Sequence, residues 1–262
     1  MKIETILTPA ELPAFAQRDL RATACVVFDV LRATSTFVTA LHHGAKAIIP
    51  VSEIAEAMAI KKKQPDVLLG GERNGVRISA GGIDFDLGNS PREYTSEKIR
   101  GKTIVSTTTN GTRALRACAH AQIVLAASFL NLTATAEFLR QNNFENVLLV
   151  CAGTGENQAD EDVVATGALC ELMIGSLRCG DISGRPQGPG QRTVPTLSDS
   201  AQIARRSWLA AKPDLPATVC NSENARRLLA IPELHEDVAF CLQRDVYPLI
   251  AQMEADGSIR KG

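Results

Sequence analysis

The chain has 262 residues, a formal net charge of −1, 22% charged residues and 45% apolar ones, the balance of an ordinary soluble globular protein with enough length for a large core. No basic block interleaved with aromatics is present, which argues against a nucleic-acid partner, and no apolar run approaches the ~20 residues that cross a bilayer. Met1-Lys2-Ile3-Glu4 lacks a signal peptide's apolar segment, and seven cysteines without a Cys-x-x-Cys pair fit neither a disulfide scaffold nor structural zinc, so the cytoplasm is the expected compartment.

The first apolar run, Ala24–Phe28, reads as a strand buried on both faces, and Ala33–His42 as the helix after it. Strand Ala47–Pro50, helix Ile54–Lys63 and strand Val67–Gly70 follow. Strand Thr103–Ser106 then leads to helix Gly111–Ala119, strand Ile123–Ala126 to helix Leu132–Gln141, and strand Val147–Ala152 to helix Asp162–Ile174. The alternation implies an α/β protein, a three-layer α/β/α fold around a largely parallel or mixed sheet. The Gly- and Pro-rich stretch 180–192 forbids regular structure. After it a mostly helical segment with one strand, Ala217–Cys220, is expected to cover the site or to subdivide an otherwise single unit spanning 1–262. His42 and His43 suit a helix C-terminus, and Trp208 and Met173 suit the core.

Ligands of such sheets bind beyond the carboxyl ends of the strands, so the strand-to-helix corners carry the functional reading. The first strand finishes on Asp29, with Arg32 three residues on. A carboxylate there can hold a divalent cation or attack phosphorus, and a guanidinium clamps phosphate; a salt bridge fixing the corner is the alternative. Ser106-Thr107-Thr108-Thr109-Asn110-Gly111 sets four hydroxyls and a turn before a helix, a pattern that suits an anion and exceeds what one helix cap needs. Val150-Cys151-Ala152-Gly153-Thr154-Gly155 leads to Glu161 and Asp162, which can satisfy a helix dipole or join Asp29 around Mg²⁺, a hard ion preferring oxygen. Two further loops, Gly70–Gly75 and Phe85–Pro91, contribute Arg73, Asn89 and Ser90 as candidates.

Taken together and in order, V-V-F-D-V-L-R-A-T-S-T, G-G-E-R-N-G, F-D-L-G-N-S-P-R-E-Y, S-T-T-T-N-G-T-R-A-L, A-A-S-F-L-N, the E-D before Val163 and E-D-V-A-F-C-L-Q-R-D resemble the 2-phosphosulfolactate phosphatase (ComB) family over roughly residues 24–247. The resemblance implies a Mg²⁺-dependent phosphomonoesterase that converts (R)-2-phospho-3-sulfolactate to 3-sulfolactate, a step towards coenzyme M. On that reading Asp29 with Glu161 or Asp162 holds Mg²⁺. Asp29, Arg32 and Thr108 act on the phosphoryl group, either through an aspartyl-phosphate or through attack by metal-bound water. Arg73, Asn89, Ser90, Thr107, Asn110 and Gly111 bind the substrate, with Arg92 and Arg113 as further cations for a trianion. The partner is then a small anionic phosphometabolite, with room for a homo-oligomer and no role for nucleic acid or membrane.

Three other readings compete. Haloacid-dehalogenase phosphatases place a second Asp two residues after the first, where this chain has Leu31. Cys-x₅-Arg occurs as Cys179–Arg185 and Cys220–Arg226, but the second contains Glu223 and no glycine, unlike a phosphate loop. A non-catalytic carrier of a phosphorylated or sulfonated metabolite would use the same anion cradle without a metal-held nucleophile.

Overall fold

A computed structural model describes residues 1–15, 17–80, 82–175 and 195–262; the expected loop at 180–192, with Cys179 and Arg185, lies outside them. In chain order, β1 (Lys2–Ile6) and a short α1 (Leu12–Phe15) lead to β2 (Thr23–Phe28) and α2 (Ala33–His42). Next come β3 (Ala47–Pro50), α3 (Ile54–Lys63), β4 (Leu68–Arg73) and the short strands β5 (Val76–Arg77), β6 (Ser79–Ala80) and β7 (Ile83–Asp84). After α4 (Ser96–Ile99) follow β8 (Thr103–Thr107), α5 (Gly111–Ala117), β9 (Ile123–Ala127), α6 (Leu132–Asn142), β10 (Asn146–Cys151) and α7 (Asp160–Gly175). The remainder comprises β11 (Thr196–Leu197), α8 (Asp199–Ala211), α9 (Leu215–Val219), α10 (Glu223–Leu229), α11 (His235–Cys241) and a terminal hairpin, β12 (Ala251–Met253) with β13 (Ile259–Lys261).

The main sheet has the order β11-β1-β10-β2-β9-β12-β13-β3-β8-β4-β5. Helices cover both faces, as the alternating pattern anticipates. β2 shows why its sequence is apolar throughout. Ala24, Val26 and Phe28 face a core built with α6, α7 and α8, whereas Cys25 and Val27 face a core built with α2 and α5. Successive strand residues point to opposite faces, and both are dry, so each large side chain contributes about 1.5–3 kcal/mol by leaving water. Trp208 and Met173 are core residues.

The sheet contains two parallel groups. β11, β1, β10, β2 and β9 form one; β3, β8 and β4 form the other. The terminal hairpin lies between them and pairs antiparallel with β9 on one side and β3 on the other. Three antiparallel pairings make the two groups run in opposite senses, which in a flat sheet would send their carboxyl ends to opposite edges. The ends of β2, β4, β8 and β10 nevertheless line one cavity, which the right-handed twist that accumulates from strand to strand in a sheet allows.

Two sequence expectations need correcting. Ala217–Cys220 is not a strand. Asp214 caps a helix there by accepting the Ala217 N–H, and Pro216 sits in its first turn, where the missing N–H costs nothing. The strand content of this region lies instead in β11 and in the hairpin, whose turn passes through Asp256-Gly257. β1, whose Ile3 and Ile6 are buried, was also absent from the expected elements.

Candidate functional site

The converging strand ends enclose a cavity of about 220 Å³ whose wall includes Asp29, Arg32, Glu72, Asn89, Thr109 and Asn110. Asn224 and Arg227 of α10 close its other side. Asp29 is the residue immediately after β2, and the chain around it is tied down on all sides. Its Oδ1 accepts from Ala33 N (3.0 Å), its N–H donates to Thr34 Oγ1 (3.0 Å), and its carbonyl accepts from the Thr34 hydroxyl (2.9 Å). Oδ2 faces the first residue of α5. A Cβ on Gly111 would stand 2.5 Å from Asp29 Oδ2 and 2.7 Å from the Ala33 Cβ, so only glycine lets these two corners touch. Enclosure by protein pushes the Asp29 carboxyl up to about 7; the Ala33 N–H opposes this, the Glu72 and Glu161 charges add to it, and Arg32 opposes it.

Arg32 is buried, and so is its ion-pair partner, which is Asp237 rather than Asp29. Nη1 donates to Asp237 Oδ2 (2.7 Å) and Nη2 to the Gly75 carbonyl (2.6 Å). Asp237 accepts a second bond from Ser90 Oγ (2.7 Å). Ser90 therefore supports the arginine's partner. Asn89 is buried beside it in the cavity wall, and its Oδ1 has no hydrogen-bond partner among the described residues. An orphaned buried amide oxygen costs about 1–3 kcal/mol unless a ligand completes it.

The threonine loop divides. Thr109 donates its N–H (2.8 Å) and hydroxyl (2.9 Å) to Glu72 Oε1, and the other Glu72 oxygen accepts Gly75 N (2.7 Å). Asn110 reaches across to β10, donating to the Ala152 and Gly155 carbonyls (2.8 and 2.9 Å). Thr107 and Thr108 are outside the cavity wall. The Thr107 hydroxyl donates to Ser52 O and accepts from Arg73 Nη2 (3.0 Å), while Thr108 Oγ1 accepts Thr112 N (3.2 Å) as an N-terminal brace for α5. Arg73 lies with Thr107, away from the cavity, because neighbours on β4 face opposite ways; that same alternation turns Glu72 inward. Arg92 pairs with Glu236, and Arg113 with Glu156 at 2.5 Å, so neither expected extra cation lines the cavity.

Glu161 and Asp162 open α7. Asp162 is buried and spends both oxygens on backbone: Oδ1 accepts Val30 N (2.8 Å) and Oδ2 accepts Gly153 N (3.0 Å), clamping the β2 and β10 corners together. Burial raises its carboxyl well above the ordinary range, helped by the Glu161 and Asp29 charges. Glu161 is also raised by burial; it accepts Asn224 Nδ2 (2.7 Å) and lines an adjoining cavity that shares Thr154 and Asn224 with the first. Burial pushes the Cys170 and Cys241 thiols up to about 12.

Among the described residues no group of three or more His, Cys, Asp or Glu side chains is gathered to hold a metal unaided. The donors facing the cavity are nevertheless those of a hard cation: the Asp29 carboxylate, Glu72 beside it and the unpartnered Asn89 amide oxygen. Mg²⁺ keeps several waters and often takes one or two carboxylates plus substrate oxygens, so this set fits it. Sequence reasoning did not single out Glu72, Asn224, Arg227 or Asp237. Period-two alternation within Leu68–Arg73 could have found Glu72, and Asp237 lies in the quoted E-D-V-A-F-C-L-Q-R-D motif; no local pattern marks Asn224 or Arg227.

Comparison with known proteins gives a consistent result. A family model described as 2-phosphosulpholactate phosphatase matches residues 6–256. A protein of Thermotoga petrophila named probable 2-phosphosulfolactate phosphatase is 41% identical over 225 residues, 86% of each chain. Proteins with the same name from Caldanaerobacter subterraneus subsp. tengcongensis and Clostridium acetobutylicum are 37% and 31% identical. The first match covers 93% of this chain and 92% of the relative, the second 96% and 97%.

Proposed function

The chain belongs to the 2-phosphosulpholactate phosphatase family, and on that premise we propose that it is a Mg²⁺-dependent phosphomonoesterase acting on (R)-2-phospho-3-sulfolactate, releasing 3-sulfolactate and phosphate. The observation that carries the reading is the meeting of four strand ends on one small cavity that holds an enclosed carboxylate, Asp29, within one wall with Arg32. Asp29, Glu72 and the Asn89 oxygen are the groups that would hold Mg²⁺, which when bound supplies a Lewis acid for a phosphoryl oxygen. Arg32 presents its guanidinium to the phosphoryl group from an orientation fixed by Asp237 and Gly75, and a fork of this kind matches phosphate oxygens. Asn110 and Thr109 keep the opposite wall rigid, so the charge that develops on the transferring group meets groups already in place. Glu161 and Asp162 act one step back: Asp162 locks the Asp29 corner to the β10 loop, and Glu161 fixes Asn224.

Phosphate release from (R)-2-phospho-3-sulfolactate, followed with Mg²⁺ and again with EDTA, tests this directly. Mg²⁺-dependent release is expected. Binding of the ester without release, with or without the metal, would overturn the proposal in favour of a carrier.

A further inference from the structure

The described cavity wall contains two guanidinium groups of opposite standing. Arg32 is buried and its charge is matched by buried Asp237. Arg227 is exposed at the mouth and, among the described residues, pairs with no carboxylate and makes one hydrogen bond, from Nη2 to Asn224 Oδ1 (2.7 Å). That anchor is itself fixed. Asn224 is buried, and its Nδ2 donates to Thr154 Oγ1 and Glu161 Oε1, each at 2.7 Å. The two arginines approach each other around Gly75. Arg32 donates to its carbonyl, and Arg227 Nε stands 3.7 Å from where a Cβ on Gly75 would sit.

We infer that Arg227 is a specificity-determining residue that receives the second anionic group of the substrate, while the phosphoryl group occupies the deep end at Asp29 and Arg32. The inference rests on the phosphomonoesterase reading and extends it to the class of ester preferred: small phosphate esters carrying another fully ionised group. Charge decides the placement. The deep end already holds Asp29 and Glu72, so a second anion there meets like charge, whereas the mouth offers a cation that no described carboxylate pairs with. A cavity of about 220 Å³ holds one small molecule, and an ester with phosphate at one end and sulfonate or carboxylate at the other spans the two arginines. The guanidinium's planar donors suit either oxyanion. A charged hydrogen bond of this kind is worth a factor of roughly 10–100 in discrimination.

The test compares kcat/KM for three esters: 2-phosphosulfolactate, 2-phospholactate, which keeps the carboxylate alone, and isopropyl phosphate, which keeps only the secondary phosphate ester. In Arg227→Gln the ratio of 2-phosphosulfolactate to isopropyl phosphate is expected to fall at least tenfold. Arg227→Lys should recover part of the ratio, and Arg226→Gln, on the same helix outside the cavity wall, should keep it. The 2-phospholactate ratio identifies which oxyanion Arg227 takes: a drop matching that for the sulfo ester means carboxylate, a smaller drop means sulfonate. An Arg227→Gln enzyme with the wild-type ratio, folded by its melting curve, overturns the inference and leaves the phosphatase reading standing. Binding of 3-sulfolactate by calorimetry separates the two ideas. If no ester is turned over but affinity falls tenfold in Arg227→Gln, the anion subsite holds and the phosphatase reading fails; equal affinities remove the subsite.

Discussion

The deep end and the mouth of the cavity are built from the same two kinds of side chain, an arginine and an asparagine, arranged in opposite ways. In the deep end Arg32 is buried and ion-paired while Asn89 carries an oxygen without a partner among the described residues. At the mouth Asn224 is engaged on both its amide atoms while Arg227 is held by a single bond and faces solvent. Buried ions cost several kcal/mol to desolvate and are tolerated only when paired, so the deep arginine is positioned chemistry, costly to disturb. The mouth arginine, still hydrated, contributes a charge without structural commitment. One region should therefore answer to substitution with large losses in activity and stability, the other with changes in preference.

The widest separation should come from Asp29→Asn. Turnover with Mg²⁺ is expected to fall by about three orders of magnitude, within the range typical for removing a group that acts directly in proton or metal chemistry; near-normal turnover would take Asp29 out of the mechanism. Asp237→Ala strands the Arg32 charge in the interior and should destabilise the fold by about 3–5 kcal/mol, measured by urea unfolding. A variant of wild-type stability would mean that the deep pair is not the commitment described above. Arg227→Gln should unfold in urea like the wild type.

A pH effect should follow from the enclosed carboxylates. Asp29, near 7, and the raised Glu161 and Asp162 hold protons in the folded protein that the unfolded chain has released above pH ~4. Stability supplied by these groups is therefore present on the acid side and lost as pH climbs through the window from about 4 to 7. In EDTA the melting temperature should be lower at pH 8 than at pH 5.5 by roughly 5 °C, and a slope of the other sign would contradict the enclosed-carboxylate picture. The smallest effect belongs to the boundary between the regions. Gly75 has φ +83°, so Gly75→Ala should cost about 1–2 kcal/mol of backbone strain, raising KM more than it lowers kcat as the two arginines lose their common support.

What could be read from the chain tracks how local each feature is. The β2 corner was legible because an apolar strand ending in Asp29 is a statement about adjacent residues, and the α/β alternation was legible for the same reason. Arg32 was found, but its partner was not: Asp237 lies 205 residues away, and nothing near either residue announces the other. The hydroxyls of Thr107 and Thr108 looked like a cradle because sequence shows composition and hides direction. On the strand and its exit, one hydroxyl braces Ser52 and the other caps a helix, while Thr109 alone of the three reaches the cavity wall. Arg73 was preferred to Glu72 by charge, and the pleat of β4 reverses that preference. The two halves of the sheet could not be seen to meet, since the hairpin that joins them, at 251–261, is far in sequence from both β9 and β3.

The hairpin between the two parallel groups carries a consequence for how the cavity is held together. With residues 251–261 unpaired, β9 and β3 would each expose an edge. A variant that breaks the hairpin's pairing should therefore leave the cavity corners in two unjoined pieces and lose protease resistance together with activity.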